Sequence, residues 1–346
     1  MKVSKWMALL VAVAMLLALG ACGSSDTTTD DSQQNANTDT TQTTPQDGAS
    51  DKTVYNIGIC EYMQHPALDQ ATEGFEAALV EKLGEDGVNF QKQNAAGDAP
   101  TCSTICTQLV SDGVDLILAN ATASLQAASA ATNEIPILGT SITDYATALD
   151  IDDWTGVTGT NISGTSDLAP LDQQAAMLHE LFPEAENVGL LYCSGEPNSA
   201  YQANIIRGYL EEYGYTVSDY TFADSNDVAA VTGNACNDSD VLYIPTDNTA
   251  ATCTEAIQNV ALPAGVPIIA GEEGICSGCG VATLSISYYD IGYEAGLMAY
   301  DILVNGADVS TMEVQTAKEV TPKYNVSNCE AFGLQVPDNY VAIETE

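Results

Sequence analysis

Asn187-Val-Gly-Leu-Leu-Tyr-Cys193 is the stretch on which the fold turns, because the chain has already used the same design at Val54-Tyr-Asn-Ile-Gly-Ile-Cys60. Both are short apolar runs of strand-forming residues, with one glycine inside and a cysteine at the end. Continuous apolar runs of this length suit strands buried on both faces of a parallel sheet. Gly58 and Gly189 stand 131 positions apart. Asp240-Val-Leu-Tyr-Ile-Pro-Thr-Asp-Asn248 answers Asp115-Leu-Ile-Leu-Ala-Asn-Ala-Thr122 at an offset of 125. Val266-Pro-Ile-Ile-Ala-Gly271 answers Ile135-Pro-Ile-Leu-Gly139, with Pro136 and Pro267 again 131 apart. Three matches in order predict two similar lobes.

Helical patterns lie between these runs. Pro66 opens one in which Leu68, Ala71, Phe75, Leu79 and Leu83 recur at helical spacing, and proline suits a first helical position. Strand Val88–Gln93, helix Pro100–Ser111, strand Val114–Ala119, helix Thr122–Thr132 and strand Ile135–Leu138 follow. After Cys193 come helix Ser199–Tyr213, strand Tyr215–Phe222 and helix Asn226–Cys236. Strand–helix alternation gives a doubly wound parallel sheet. The expected class is α/β, with two Rossmann-like lobes joined by hinge strands. A leftover half-unit follows the second lobe: strand Val281–Ser287, helix Asp290–Asn305, a strand near Met312–Val320 and a short helix near Ser327–Phe332. It cannot stand alone, so it is expected to complete the first lobe and cross back. That assigns 53–163 and 284–311 to lobe 1 and 164–283 and 312–346 to lobe 2, with hinges near Thr158–Thr165, Thr283–Ser287 and Thr311–Gln315.

The start of the chain is of another kind. Lys2 and Lys5 precede the apolar run Met7 to Leu19, which ends in Leu19-Gly20-Ala21-Cys22. A charged start, a short apolar core and a small-residue cleavage site make a secretory signal over 1–21. The cysteine after Leu-Gly-Ala resembles a bacterial lipobox, which implies lipidation at Cys22 and tethering to the outer face of the cytoplasmic membrane. Residues 22–52 are mostly Ser, Thr, Asp, Gln and Asn, too polar to fold, and read as a solvated leash.

The chain carries 8 Lys+Arg against 48 Asp+Glu, a formal charge of −40; losing Lys2 and Lys5 with the signal makes it −42. Such a field excludes nucleic acid as a partner. Ten cysteines in a chain of 346 residues do not make a small disulfide scaffold. Cys102 and Cys106 read as buried neighbours on one helix face, and Cys60, Cys193 and Cys253 as core. Cys276-Ser-Gly-Cys279 is the candidate disulfide. With two histidines and a single CxxC, no metal site is expected, and no cofactor.

The chain resembles the substrate-binding lipoproteins of ABC transporters, in the family whose characterised members bind tryptophan and related aromatic amino acids. The likeness runs from about Thr53 to the C-terminus. Its carriers in the first half are Ile57-Gly-Ile59, His65-Pro-Ala-Leu-Asp69, Val114-Asp-Leu-Ile-Leu-Ala119, Val157-Thr-Gly-Thr-Asn161 and Thr165-Ser-Asp167. Those in the second half are Val188-Gly-Leu-Leu-Tyr192, Glu196-Pro-Asn-Ser199, Pro245-Thr-Asp-Asn248 and Asp290-Ile-Gly292. The resemblance implies a type I periplasmic-binding-protein fold, an amino acid-like ligand, and ABC permease and ATPase partners. The family's common Asp-Pro after the fourth strand is Asp144-Tyr145 here, and Cys60 and Cys276 also depart from it.

In open α/β sheets ligands bind beyond the carboxyl ends of the strands, so two facing lobes set two rims across one cleft. For a ligand carboxylate the candidates are the helix start at Thr122, Ala123 and Ser124, with hydroxyls from Thr140 and Ser141; Thr122 also suits a plain helix cap. For an ammonium they are Asp167, Asp247 and Glu196, of which the two aspartates also precede helices. Tyr62, Tyr145, Tyr201 and Tyr288 could wall an aromatic side chain or simply pack, and His65 could line the cleft or order its loop. Asp144, Ser166, Asn198, Asn248 and Glu272 complete the two rims. No GxSxG, GxGxxG or Walker loop is present, so an enzyme is not expected. The reading is an exported, monomeric, lipid-anchored solute-binding protein for an aromatic amino acid; the alternatives are a sugar or nucleoside as ligand, or a ligand-sensing role with a membrane partner.

Overall fold

The computed structural model describes residues 53–344; the expected signal 1–21, Cys22 and the leash 22–52 lie outside the described residues. In the first lobe, strands β1 (Tyr55–Glu61), β2 (Val88–Asn94), β3 (Leu116–Asn120), β4 (Ile137–Ile142) and β5 (Ile162–Ser166) alternate with helices α1 (Pro66–Leu83), α2 (Ala99–Asp112), α3 (Thr122–Ala131) and α4 (Tyr145–Leu149). The second lobe opens with α5 (Leu171–Leu181), β6 (Asn187–Cys193), α6 (Pro197–Glu212), β7 (Thr216–Phe222), α7 (Val228–Asp238) and β8 (Val241–Ile244). It continues through α8 (Asn248–Thr252), α9 (Thr254–Ala264), β9 (Ile268–Ala270), α10 (Glu273–Cys279) and β10 (Ala282–Ser285). The last stretch holds α11 (Tyr288–Leu303), β11 (Gln315–Thr316), β12 (Thr321–Tyr324), α12 (Val326–Phe332) and β13 (Val341–Ala342).

The first sheet has the order β11-β5-β4-β3-β1-β2, and the second β13-β12-β10-β9-β8-β6-β7. Pairing is parallel throughout, apart from β10 with β12. The expected doubly wound lobes are therefore present. The repeat is visible in the pairing: β1 lies between β2 and β3, and β6 between β7 and β8, in each case the strand that carries the glycine. Those glycines let a covering layer approach. A Cβ on Gly58 would sit 2.9 Å from the Leu109 side chain, and one on Gly189 would sit 2.6 Å from Ser239 Oγ.

Sheet membership moves the lobe limits a few residues downstream of the expected ones. β5 belongs wholly to the first sheet, β10 to the second and β11 to the first. The chain thus crosses at 167–170, 286–287 and 317–320. The edge strands need these extra residues to pair: Ser166 sits opposite both Ile142 and Thr316.

α11 follows a second-lobe strand but packs in the first lobe, against α1. The seam is built on backbone contact: a Cβ on Gly74 would fall 2.1 Å from the Tyr289 carbonyl oxygen, and one on Gly292 would fall 1.9 Å from that of Ala71. Phe75, Leu79, Ala295, Met298 and Ala299 fill the core alongside, with Ile57 and Leu116 from the sheet.

Cys276 and Cys279 are not bridged, against expectation. Both lie within α10, and the Cys279 thiol donates along the helix to the Ile275 carbonyl at 3.4 Å while Cys276 packs in the core. Cys60, Cys102, Cys106 and Cys193 are buried, and Cys253 is half-buried at the start of α9. Among the described residues no helix is long and apolar enough to cross a membrane.

Candidate functional site

Strand ends β3, β4 and β5 lie side by side, and the chain leaves them in strained conformations. Ala121, just before α3, has φ +81° and ψ 159° and offers no side chain to cap the helix. That conformation is costly for any residue but glycine and persists where the surroundings impose it. The first-turn N–H groups of Thr122, Ala123 and Ser124 are consequently left for an outside acceptor. Beside it, tied by the Ala121 N–H to the Thr140 carbonyl, Ser141 also sits at positive φ, 56°. Its hydroxyl is buried without a hydrogen-bond partner. An uncapped helix end and an unsatisfied hydroxyl together suit an anion.

One strand further along stands Asp167, 3% exposed. Thr143 Oγ1 donates to its Oδ1 at 3.1 Å and the Tyr288 hydroxyl to its Oδ2 at 3.0 Å. No described Lys, Arg or His pairs with it. Burial pushes its carboxyl up to about 6 against the two hydrogen bonds. Glu272 is close enough to feel its charge and is itself raised by burial to about 7, although its carboxylate accepts from the N–H groups of Gly274 and Ile275.

Several expected ligand contacts turn out to be structural. Tyr145 is buried in the first-lobe core, stacked on Trp154, with its hydroxyl donating to the Thr165 carbonyl at 3.2 Å. Ser124 turns its hydroxyl inward to the Cys60 and Cys102 thiols, leaving only its N–H for the rim. Thr140 Oγ1 accepts from Thr165 Oγ1, and Ser166 Oγ donates to the Thr143 carbonyl. Asp144 caps α4 through the Thr147 N–H at 2.7 Å. Asp247 caps α8, accepting from the Ala250 N–H and also from the Cys193 N–H, each at 2.7 Å. Burial and the neighbouring Glu196 charge push its carboxyl upward. Glu196 accepts from the N–H groups of Asn248 and Thr249, the Thr249 hydroxyl and the Asn248 amide. Asn198 donates to Glu196 and to the Thr246 carbonyl. Asp247, Glu196 and Asn198 build the second rim, and the carboxylate oxygens of the two acids are occupied.

The rims meet. His65 Nε2 lies 3.1 Å from Asn248 Oδ1 across the cleft, and Gln202 Nε2 is 3.5 Å from Thr143 Oγ1. Burial and the nearby Asp144 charge raise the Tyr201 phenol. Tyr62 packs on Met63, Leu68 and Ala121 and feels the charges of Glu196 and Asp247 opposite, which with burial raise its phenol. Tyr62 and Tyr288 are thus the tyrosines that the fold brings to the cleft. A cavity of about 1420 Å³ forms a groove that reaches the rim residues through His65, Thr165, Glu272 and Tyr288. Among the described residues no cluster suits a metal ion.

Ala121, Thr143 and Gln202 were not singled out from sequence. Gln202 could have been: it is a polar residue on the buried face of a helix, where it ties down both the N–H and the carbonyl of Thr246.

The profile of the family described as "ABC transporter substrate binding protein" matches residues 56–346. A "Tyrosine-binding protein" of Clostridioides difficile (strain R20291) is 36% identical over 282 residues, 81% of each chain. A Streptococcus pneumoniae structure in complex with L-Trp superposes with a TM-score of 0.79 at 28% identity, covering 83% of this chain and 97% of that one. The ligand-free, open structure of a Clostridium difficile substrate binding protein with adhesive properties is 35% identical but superposes at only 0.66, covering 85% and 100%.

Proposed function

Because the chain belongs to the ABC transporter substrate-binding protein family, we propose that it captures an aromatic amino acid between its lobes and presents it to a permease and its ATPase. The observation that carries this reading is Asp167, a buried carboxylate with no described cationic partner, held by Thr143 and Tyr288 on the same rim as the uncapped start of α3. The two lie two strands apart, about 10 Å by sheet spacing. An α-amino acid spans that distance with its carboxylate on the N–H groups of Thr122 to Ser124 and the Ser141 hydroxyl, and its ammonium on Asp167. Tyr62 and Tyr288 then face the side chain. Asp247 and Glu196 hold the second rim rather than the ligand. L-Tryptophan and tyrosine in the relatives support an aromatic side chain here.

The protein acts outside the cytoplasmic membrane, as a monomer tethered through lipidated Cys22 and the polar leash. Binding is not coupled to catalysis. Calorimetry with L-tyrosine, L-tryptophan and L-phenylalanine tests the reading, with glucose and uridine as counter-ligands. Micromolar or tighter affinity for an aromatic amino acid, about −8 kcal/mol or better, is expected. Heat from the sugar or nucleoside and none from any amino acid would sink it.

A further inference from the structure

His65 opens α1 in the first lobe, and Asn248 opens α8 in the second. They meet at 3.1 Å, Nε2 to Oδ1, with His65 8% exposed. The polarity of this contact follows from what lies behind Asn248. Its Nδ2 donates to Glu196 Oε2 at 2.7 Å and its N–H to the same oxygen at 3.0 Å. Reversing the amide would turn its oxygen onto a carboxylate, so the oxygen is the atom that faces His65. The imidazole must therefore carry its proton on Nε2 and donate. Glu196 is itself fixed by the Thr249 N–H and hydroxyl at 2.8 and 2.7 Å. The acceptor is consequently preset by second-lobe residues alone, and the donor by the first turn of α1. Only the arrival of one lobe against the other completes the bond.

The two Clostridial and Streptococcal structures frame what that bond does. This chain superposes better on the L-Trp complex than on the open, ligand-free structure, although it is less identical to the former. The two rims touch here, at His65–Asn248 and at Gln202–Thr143, and the His65–Asn248 bond belongs to that arrangement.

We propose that His65 and Asn248 form an interlobe latch, in which neutral His65 donates to an oxygen preset by Glu196, and that this latch sets how long the closed lobes hold their ligand. They are positioning residues, since neither needs to touch the ligand. Opening leaves each to water, so the bond favours the closed state and slows release. The inference rests on the amino acid reading above only for its ligand arm.

The test uses the full chain with His65→Phe, which keeps a ring and removes the donor, and His65→Gln, which restores an N–H donor. L-Tyrosine dissociation is followed by stopped-flow fluorescence, and the unliganded proteins by small-angle scattering. His65→Phe should release tyrosine about 3- to 10-fold faster, the range of one net hydrogen bond, with association no slower than in the parent. His65→Gln should recover at least half of the loss on a logarithmic scale. Asn248→Ala, which removes the acceptor from the other lobe, should reproduce His65→Phe and guards against a local folding defect in either. If the wild type binds tyrosine, equal dissociation rates in wild type and both deletion variants overturn the latch. If the wild type binds no aromatic amino acid, the ligand reading fails separately and the unliganded scattering decides: expansion of both deletion variants supports the latch, and superimposable profiles overturn it.

Discussion

Asp167→Asn should make the unliganded protein more stable and its ligand complex weaker. Burial raises the Asp167 carboxyl from 3.8 to about 6, a gap of about 2 units at about 1.4 kcal/mol each. At pH 8 the carboxyl is ionised in folded and unfolded chains alike, so folding carries a penalty of about 3 kcal/mol. Asparagine keeps the shape, and its oxygen and amide can still meet Thr143 and Tyr288, but it has no charge to bury. The variant should therefore gain up to about 3 kcal/mol, several degrees in Tm, and the gain should shrink to well under about 1 kcal/mol near pH 4, where the folded carboxyl is protonated and the unfolded one, at 3.8, is partly so. Binding moves the other way. A buried ammonium left without its charge partner costs about 2–5 kcal/mol, or about 30- to 4000-fold in Kd. Scanning calorimetry at pH 4 and 8 together with titration calorimetry reads both effects. Loss of stability at pH 8, or unchanged affinity for aromatic amino acids, would refute the reasoning, because a purely structural aspartate weakens both and an idle one weakens neither.

Two further outcomes follow from the same structure. Asp167 and Glu272, raised to about 6 and about 7, hold protons in the folded chain that the unfolded chain has released; the unliganded protein should become more stable as pH falls from about 8 to about 5 and lose that stability as pH rises through these values, while ligand stabilises it most above about 7, as calorimetry with and without tyrosine would show. Gly292→Ala forces α1 and α11 apart and should cost at least about 1–3 kcal/mol in urea denaturation, whereas Gly208→Ala in α6, where a Cβ meets nothing within 4 Å, should be neutral or slightly stabilising.

What the sequence made legible was the part governed by periodicity. The repeat at 131 positions found both sheets and the matching strands β1 and β6, each next to an edge strand, because buried parallel strands leave apolar runs that a reader can match. The rims were less legible, for a specific reason. Asp247, Glu272 and Asp144 sit before short helices, and there a ligand-binding acid and an N-capping acid are the same residue in the same place. Only the bonds from Cys193, Ala250, Gly274 and Thr147 tell them apart. Tyr145 and the Ser124 hydroxyl were hidden for another reason: side-chain direction sends them into the core. The strain at Ala121 and Ser141 left no trace in composition, since neither residue type announces positive φ.

The seam between α1 and α11 has a consequence for how the protein is made. Synthesis runs from the N-terminus, and domains tend to fold as units when their parts are present. α1 ends at Leu83, but the helix that covers Ala71, Gly74 and Phe75 runs only to Leu303. By then strands β6 to β10 have all emerged in one uninterrupted stretch. The half born first therefore keeps an apolar, small-residue helix face bare while most of the second sheet is being made. That face is the natural handle for a holding chaperone, and α11 is what ends its grip.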